Sequence, residues 1–446
     1  MFVSLRRNAP AERQSGSQAL RETVQKRKSV DLSDARESAL NQGFSWRQPV
    51  LFLMIFLLCV SPFFISSASA LKPGSSQAIL QSAPAEQPKY SPQLIAGSMA
   101  PAKESMTIVP NGPKVCPNTV KCVYVADGAG FVSVIEKTKL IATIPVKLTT
   151  SDPYTCPEST YFWFDEILVA DPCGNNSAGE LRTLNVSTNK WGSAITIAGN
   201  DPVFMVGDPQ NGELFITDFG YSEVTVLSSP TKLAKTISTC GTYPESSIYD
   251  KGNVYESNQK GYDQKTGNYA GCIDEINGST NTVTATLWGD ATNGPGTDGI
   301  LEGISILGNA VYVNCELCYN STLGTYGEVF FTTTNLAGWS THNLGFANTY
   351  ILWGSIYDPA KHAVAISSPY AYSYTTPITI FINASKAIIA QVNATGTGCY
   401  NPADKSLYGL ASSSSPSSYY MISPKYVVKT IVLSYGELDP SGCAAN

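Results

Sequence analysis

The feature that most narrows the fold of this chain is a string that it writes more than once. Asp208–Thr217 reads DPQNGELFIT, echoed by DPAKHAVAIS (Asp358–Ser367), NPADKSLYGL (Asn401–Leu410) and, more loosely, DKGNVYES (Asp250–Ser257). Each copy opens on turn chemistry and runs into a short apolar stretch; in the first, proline presets φ and Asn211-Gly212 supplies the positive φ of a tight hairpin. A second string follows the first. TKLIATI (Thr138–Ile144) and TKLAKTI (Thr231–Ile237) nearly coincide, and NTVTATL (Asn281–Leu287), KAIIAQV (Lys386–Val392) and KYVVKTI (Lys425–Ile431) are relatives. Two strands and two turns occupy Asp208–Leu227, and a strand pair that short is not stable alone in water. It has to stack on something.

Spacing indicates what. The apolar run recurs around Tyr124, Leu168, Phe215, Tyr255, Tyr312, Ala365 and Tyr408, at intervals of 44, 47, 40, 57, 53 and 43 residues. A unit of that length holding about four short strands is the signature of a β-propeller blade. From about residue 106 onward no long stretch has helical period, and short β-type runs are punctuated by Gly, Asn, Asp and Pro. The expected class is therefore all-β, a β-propeller of seven four-stranded blades over 106–446. Six or eight blades stay open because the first boundary is unclear near Thr107–Gly128. A β-sandwich would not repeat the same strings at one period, and a parallel β-helix needs a shorter repeat.

The residues before the repeats point to export. Residues 1–48 hold nine Lys/Arg (Arg6, Arg7, Arg13, Arg21, Lys26, Arg27, Lys28, Arg36, Arg47) against five Asp/Glu, a basic leader before an otherwise acidic chain of net charge −6. Residues 49–70, PVLFLMIFLLCVSPFFISSASA, are uncharged and near the length that crosses a bilayer as one hydrophobic helix. Basic residues on the N-terminal side predict that the chain beyond is exported, while Ala68-Ser69-Ala70 is an A-x-A cleavage pattern. Signal-anchor and cleaved signal both fit, giving a membrane-tethered or secreted protein. Residues 71–105, rich in Pro, Ser, Ala and Gln, read as a flexible linker.

Cysteine usage agrees with export. Cys59 lies in the apolar segment; the other ten, Cys116, Cys122, Cys156, Cys173, Cys240, Cys272, Cys315, Cys318, Cys399 and Cys443, are an even number, as five disulfides require. Near neighbours are the preferred pairs, with Cys399–Cys443 tying down the C-terminus, although spacing alone does not settle connectivity. Cys315-Glu316-Leu317-Cys318 has no second CxxC and the chain has only two histidines, His342 and His362, so a disulfide is expected there in preference to zinc. Six Asn-x-Ser/Thr sequons, at Asn175, Asn185, Asn277, Asn320, Asn383 and Asn393, all follow the apolar segment and are candidate glycan sites.

Val123–Val146, VYVADGAGFVSVIEKTKLIATIPV, resembles the YVTN-type repeat of YncE-like seven-bladed propellers: a YV strand, a small turn, a VSVI strand, then a T..V..TI strand. Phe215–Asp218, Val224–Leu227 and Thr231–Ile237 form a second good copy. The resemblance covers about 60 residues well and departs by insertion in Glu256–Cys272 and Asn314–Phe331. It implies the fold and carries no catalytic residue.

Motifs for chemistry are sparse. No Gly-rich phosphate loop, H-x-x-x-H pair or G-x-S-x-G elbow occurs, and neither histidine stands beside a nucleophile motif. His362 replaces the glycine of a hairpin turn. An acidic exported part without a basic stripe disfavours nucleic acid. Aligned on their turns, Val203, Glu245, Glu302 and Trp353 take equivalent places at the starts of innermost strands, the rim of the channel mouth where ligands of this fold sit. Glu245 and Glu302 could converge there on a cation or polar ligand, or stand as solvated rim charges. Gly289–Gly299, GDATNGPGTDG, offers Asp290, Asn293 and Asp298 as weak calcium ligands without the spacing of an EF-hand loop. Tyr370–Pro377 and Ser417–Pro424 read as a binding surface or, in preference, as strands packed between blades. No cofactor is required, with Ca2+ as the one candidate. The expected role is that of a non-enzymatic binding, adhesion or cell-surface scaffold module with a protein or glycan partner at the cell surface; the alternative is an extracellular, lactonase-like metal-dependent hydrolase with its site at the channel mouth.

Overall fold

The structure is a computed structural model; it describes Cys116 and residues 122–445 apart from stretches between strands, the longest being 147–154, 343–353, 369–376 and 434–442. The expected hydrophobic helix at 49–70 and the linker at 71–105 lie outside the described residues.

Among the described residues, twenty-eight strands form seven antiparallel four-stranded sheets. Blade 2 is β4 (Ser159–Trp163), β5 (Glu166–Asp171), β6 (Glu180–Asn185) and β7 (Lys190–Thr196). Blade 3 is β8 (Pro202–Asp208), β9 (Glu213–Asp218), β10 (Glu223–Ser229) and β11 (Lys232–Ser238). Blade 4 is β12 (Thr242–Asp250), β13 (Asn253–Asp263), β14 (Asn268–Asn277) and β15 (Thr282–Trp288), and blade 5 is β16 (Leu301–Leu307), β17 (Ala310–Asn320), β18 (Thr325–Thr333) and β19 (Ser340–His342). Blades 6 and 7 follow as β20 (Gly354–Asp358), β21 (Ala363–Ser368), β22 (Ile378–Asn383), β23 (Ile388–Val392), then β24 (Cys399–Asn401), β25 (Ser406–Ser412), β26 (Ser418–Ile422), β27 (Val428–Val432).

Blade 1 is composite, which is why its boundary was illegible. β1 (Val123–Asp127), β2 (Phe131–Glu136) and β3 (Lys139–Pro145) take their innermost strand from the other end of the chain, β28 (Cys443–Ala445), with Val125 opposite Cys443. The innermost strands β28, β4, β8, β12, β16, β20 and β24 neighbour one another in that order and close on themselves.

Seven apolar clusters lie one between each pair of adjacent blades. β9 shows the logic: Leu214 and Ile216 pack toward blade 2, while Phe215 between them packs toward blade 4. Successive strand residues point to opposite faces, and here both faces are buried, so the strand reads as an unbroken apolar run. The seven residues that set the repeat, Tyr124, Leu168, Phe215, Tyr255, Tyr312, Ala365 and Tyr408, all sit in the second strand of a blade and are at most 2% exposed. Removing a leucine or phenylalanine side chain such as Leu168 or Phe215 from water is worth about 1.5–3 kcal/mol.

The repeated opening string forms the turn from first to second strand. Asp208 is opposite Glu213 across a four-residue loop, and its Oδ1 accepts the backbone N–H of Gln210 at 2.8 Å. Asp358 and Asn401 do the same for Ala360 and Ala403, both at 2.9 Å. Only Gly212 takes positive φ (67°), so Asn211-Gly212 closes a longer loop around an Asx turn and is not a two-residue hairpin. His362 occupies the matching place at φ 48°. The looser copy at Asp250 is the two-residue turn, Lys251-Gly252, with both at positive φ.

Five disulfides pair the ten cysteines as near neighbours: Cys116–Cys122, Cys156–Cys173, Cys240–Cys272, Cys315–Cys318 and Cys399–Cys443. Antiparallel order puts first-to-second and third-to-fourth turns on one face of the disc, the turn face. Second-to-third hairpins and blade-to-blade connections lie on the other, the mouth face. All but Cys116–Cys122 staple the mouth face.

Candidate functional site

Among the described residues the mouth face is built up most in blades 4 and 5. Measured from the aligned aromatics Phe215, Tyr255 and Tyr312, β9 ends at Asp218, whereas β13 and β17 run five residues further, to Asp263 and Asn320. At strand rise that is about 16 Å of extra reach. Both hairpins break register first, between Asn258 and Gly261 and between Cys315 and Tyr319, and such bulges re-aim a strand. The Cys315–Cys318 disulfide closes the second bulge, so the CxxC serves geometry. Beyond the bulges the registers match: Tyr262 opposes Tyr269 in blade 4, and Tyr319 opposes Tyr326 in blade 5. The sequences match too, as YDQKTGNY and YNSTLGTY share Tyr-Asx-x-x-x-Gly-x-Tyr. The two insertions that part from the blade repeat are therefore copies of each other, a signal the sequence carried.

Below this crest, Glu245 of β12 and Glu302 of β16 meet at one side chain. Gln259 of β13 donates its amide Nε2 to Glu245 Oε2 at 3.0 Å and to Glu302 Oε1 at 3.2 Å. An N–H donor thus lies between the two carboxylates. Glu302 is 9% exposed and Glu245 half-buried. Neither belongs to a group of three metal-ligand atoms within 4.8 Å of one another among the described residues. The group that does, Cys156, Asp171 and Cys173, has its two sulfurs bonded to each other. Asp171 there accepts the Cys156 backbone N–H at 3.0 Å and lies 3.5 Å from Arg182 Nε, so its carboxylate closes the mouth of blade 2. Val203 lies buried in β8. Trp353, Asp290, Asn293 and Asp298 are outside the described residues, as is Tyr370–Thr376. Tyr419 and Tyr420 are buried in β26 and pack between blades.

A second acidic pair escaped the sequence reading. Glu256 and Asp274 are opposite each other on β13 and β14 and fully buried toward blade 3. Asn258 Nδ2 donates to Glu256 Oε2 at 2.5 Å; Asp274 takes Thr286 Oγ1 at 2.5 Å and the Cys240 N–H at 2.6 Å. Burial pushes the Glu256 carboxyl well above the usual range, reinforced by the charges of Asp274 and Glu245 and opposed by Asn258. Burial likewise raises Asp274 to about 6 against its two hydrogen bonds. In blades 2 and 3 the residue that ties down the incoming chain is the aspartate ending the second strand, as Asp218 does for the Asp201 N–H at 3.0 Å. Blade 4 has Asn258 at that place and hands the task to Asp274 on the third strand.

No protein-family model matches the chain, and no curated protein matches it. Among solved structures it is similar to the hydrazine synthase of Kuenenia stuttgartiensis, at 13% identity and TM-score 0.48 over 68% of this chain and 90% of that one. It is also similar to a chain of a nidogen/laminin complex, at 10% identity and TM-score 0.40 over 61% and 93%.

Proposed function

We propose that the protein is an exported propeller of the YVTN/YncE-like kind, tethered through residues 49–70 or released by cleavage after Ala70, that acts without catalysis as a binding or adhesion module. Its partner, a protein or glycan at the cell surface, docks on the mouth face. Five disulfides support an oxidising compartment. The observation that carries the reading is the crest. Two neighbouring blades extend the same hairpin by the same length, each with a tyrosine pair in cross-strand register, on a fold that needs neither extension to close. Tyrosine supplies large contact area at low entropic cost and is enriched where proteins bind partners.

Replacing Tyr262–Tyr269 and Tyr319–Tyr326 by Asn-Gly turns in the full chain tests this. Adhesion of cells or beads displaying the protein to its own cell surface should fall at least tenfold while the thermal midpoint stays within a few degrees; unchanged adhesion refutes the docking surface. Ester and lactone turnover that a chelator abolishes, and that Glu245→Gln/Glu302→Gln removes, would put the hydrolase reading in its place.

A further inference from the structure

Three of the sequons stand at one structural position. Asn185, Asn277 and Asn383 each end a third strand, β6, β14 or β22, and open the turn to the fourth, in blades 2, 4 and 6. In each the side-chain carbonyl is consumed by the turn. Asn185 Oδ1 accepts from the N–H of Ser187 and Thr188, both at 3.1 Å, and from their hydroxyls at 2.7 and 3.0 Å. Asn277 Oδ1 accepts the N–H of Ser279 at 3.1 Å and of Thr280 at 3.0 Å, with the Thr280 hydroxyl at 3.1 Å. Asn383 Oδ1 accepts the N–H of Ser385 and Ala387 and the Ser385 hydroxyl at 2.7 Å. The amide nitrogens make no hydrogen bond among the described residues and none is buried, while Ser187, Thr188, Ser279, Thr280, Ala384 and Ser385 around them are exposed. Asn393 differs in the hydroxyl residue of its sequon: Thr395 is 5% exposed, where Ser187, Ser279 and Ser385 are exposed.

We propose that Asn185, Asn277 and Asn383 carry N-linked saccharide and that Asn393 does not. The inference rests on the export reading above. The donor class is a polyprenyl-phosphate-linked saccharide. The Nδ2 lone pair forms a bond to the anomeric carbon, the bond from that carbon to phosphate oxygen breaks, and the polyprenyl phosphate leaves with the electron pair. The proton lost from Nδ2 passes to a base of the transferring enzyme. Oδ1 takes no part in the new bond, so the turn keeps every hydrogen bond it has. Three carriers on alternate blades would coat the turn face.

The test uses the full chain isolated from its own cells. Peptides are released by an N-glycan amidase in heavy-oxygen water and read by mass spectrometry, with free thiols alkylated beforehand. Asn185, Asn277 and Asn383 should convert to labelled aspartate and Asn393 should not. Unmodified asparagines at the three turns, or labelling of Asn393 equal to theirs, overturn the assignment. Oxidised cysteines in that same sample would leave the export reading standing, and alkylated ones would remove it as well. Ser279 separates sugar from fold, because its hydroxyl makes no hydrogen bond among the described residues whereas its N–H does. Ser279→Ala should lose one saccharide mass with an unchanged thermal midpoint, and Ser279→Thr should keep it. A Ser279→Ala chain of unaltered saccharide mass rules Asn277 out.

Discussion

Tyr408 donates its hydroxyl to the backbone carbonyl of Lys137, 2.8 Å away in space and 271 residues away in sequence. Tyr408 is in the second strand of blade 7 and Lys137 in the turn between the last two strands of blade 1, so the bond crosses the closure of the ring. Tyr255 makes the same reach to the Thr334 carbonyl at 2.7 Å, from blade 4 to blade 5, and Tyr312 reaches the Asn383 carbonyl at 3.5 Å, from blade 5 to blade 6. In blades 4, 5 and 7 the tyrosine that sets the sequence period thus ties one blade to the turn of the next. Tyr408→Phe removes the single hydroxyl proton that the Lys137 carbonyl shares with Asp404 Oδ2 at 2.7 Å. Losing that one donor, which partly serves a carboxylate, should cost about 1–3 kcal/mol, seen as a lower thermal midpoint. Tyr312→Phe, with a longer bond, should cost less.

Cys399–Cys443 ties the first strand of blade 7 to the C-terminal strand that completes blade 1, across 44 residues. Loop-closure entropy for that length is worth about 4 kcal/mol at room temperature. Cys399→Ser/Cys443→Ser should therefore lower the denaturation midpoint markedly and raise protease cleavage near Cys443, as the short strand opens. Equal stability with and without the bridge would mean that the three residue pairs of β28 with β1 hold the ring unaided.

Arg182 is 2% exposed and lies between Glu180 and Asp171, with Nη1 donating to the Val146 carbonyl at 3.3 Å. Removing the cation leaves two buried carboxylates facing each other. Arg182→Met should destabilise by about 3–5 kcal/mol in denaturant titration. The triple change Glu180→Gln/Arg182→Met/Asp171→Asn should recover part of that loss, since no charge is then stranded.

Glu256 and Asp274 predict the sign of a pH response. Burial raises both carboxyls above their unfolded values, Asp274 to about 6. Around pH 5 the folded state therefore holds more protons than the unfolded state, and stability falls as pH rises through the folded pKa. From these two groups the domain should be more stable near pH 5 than near pH 7, by on the order of 1–3 kcal/mol. Glu256→Gln should flatten the dependence and raise the thermal midpoint at neutral pH. A midpoint that climbs steadily from pH 5 to pH 7 in the parent protein would contradict this.

The division between sequence and structure is visible residue by residue. The period of the apolar runs, the Asx-opened turns and the near-neighbour cysteines act locally, through backbone preference and chain length. They were legible as a disulfide-stapled propeller of seven blades. Blade 1 was not, because its fourth strand comes from Cys443–Ala445 and no local pattern announces a pairing across some 320 residues. The meeting of Glu245 and Glu302 on Gln259 was half legible: equivalent turns placed the two glutamates on one rim, but Gln259 arrives only because β13 is long and bulged.

Sequence by itself determined the unit, its period and where its turns open, since a two-residue alternation and a capped loop are decided within a few residues of themselves. Tertiary structure decided what those units share. It set which carbonyl Tyr408 finds, which buried carboxylates face one another, and which sequon asparagines keep their nitrogen in water. Each of these depends on the neighbouring blade or on the outcome of ring closure, and neither exists until the chain has folded around its axis.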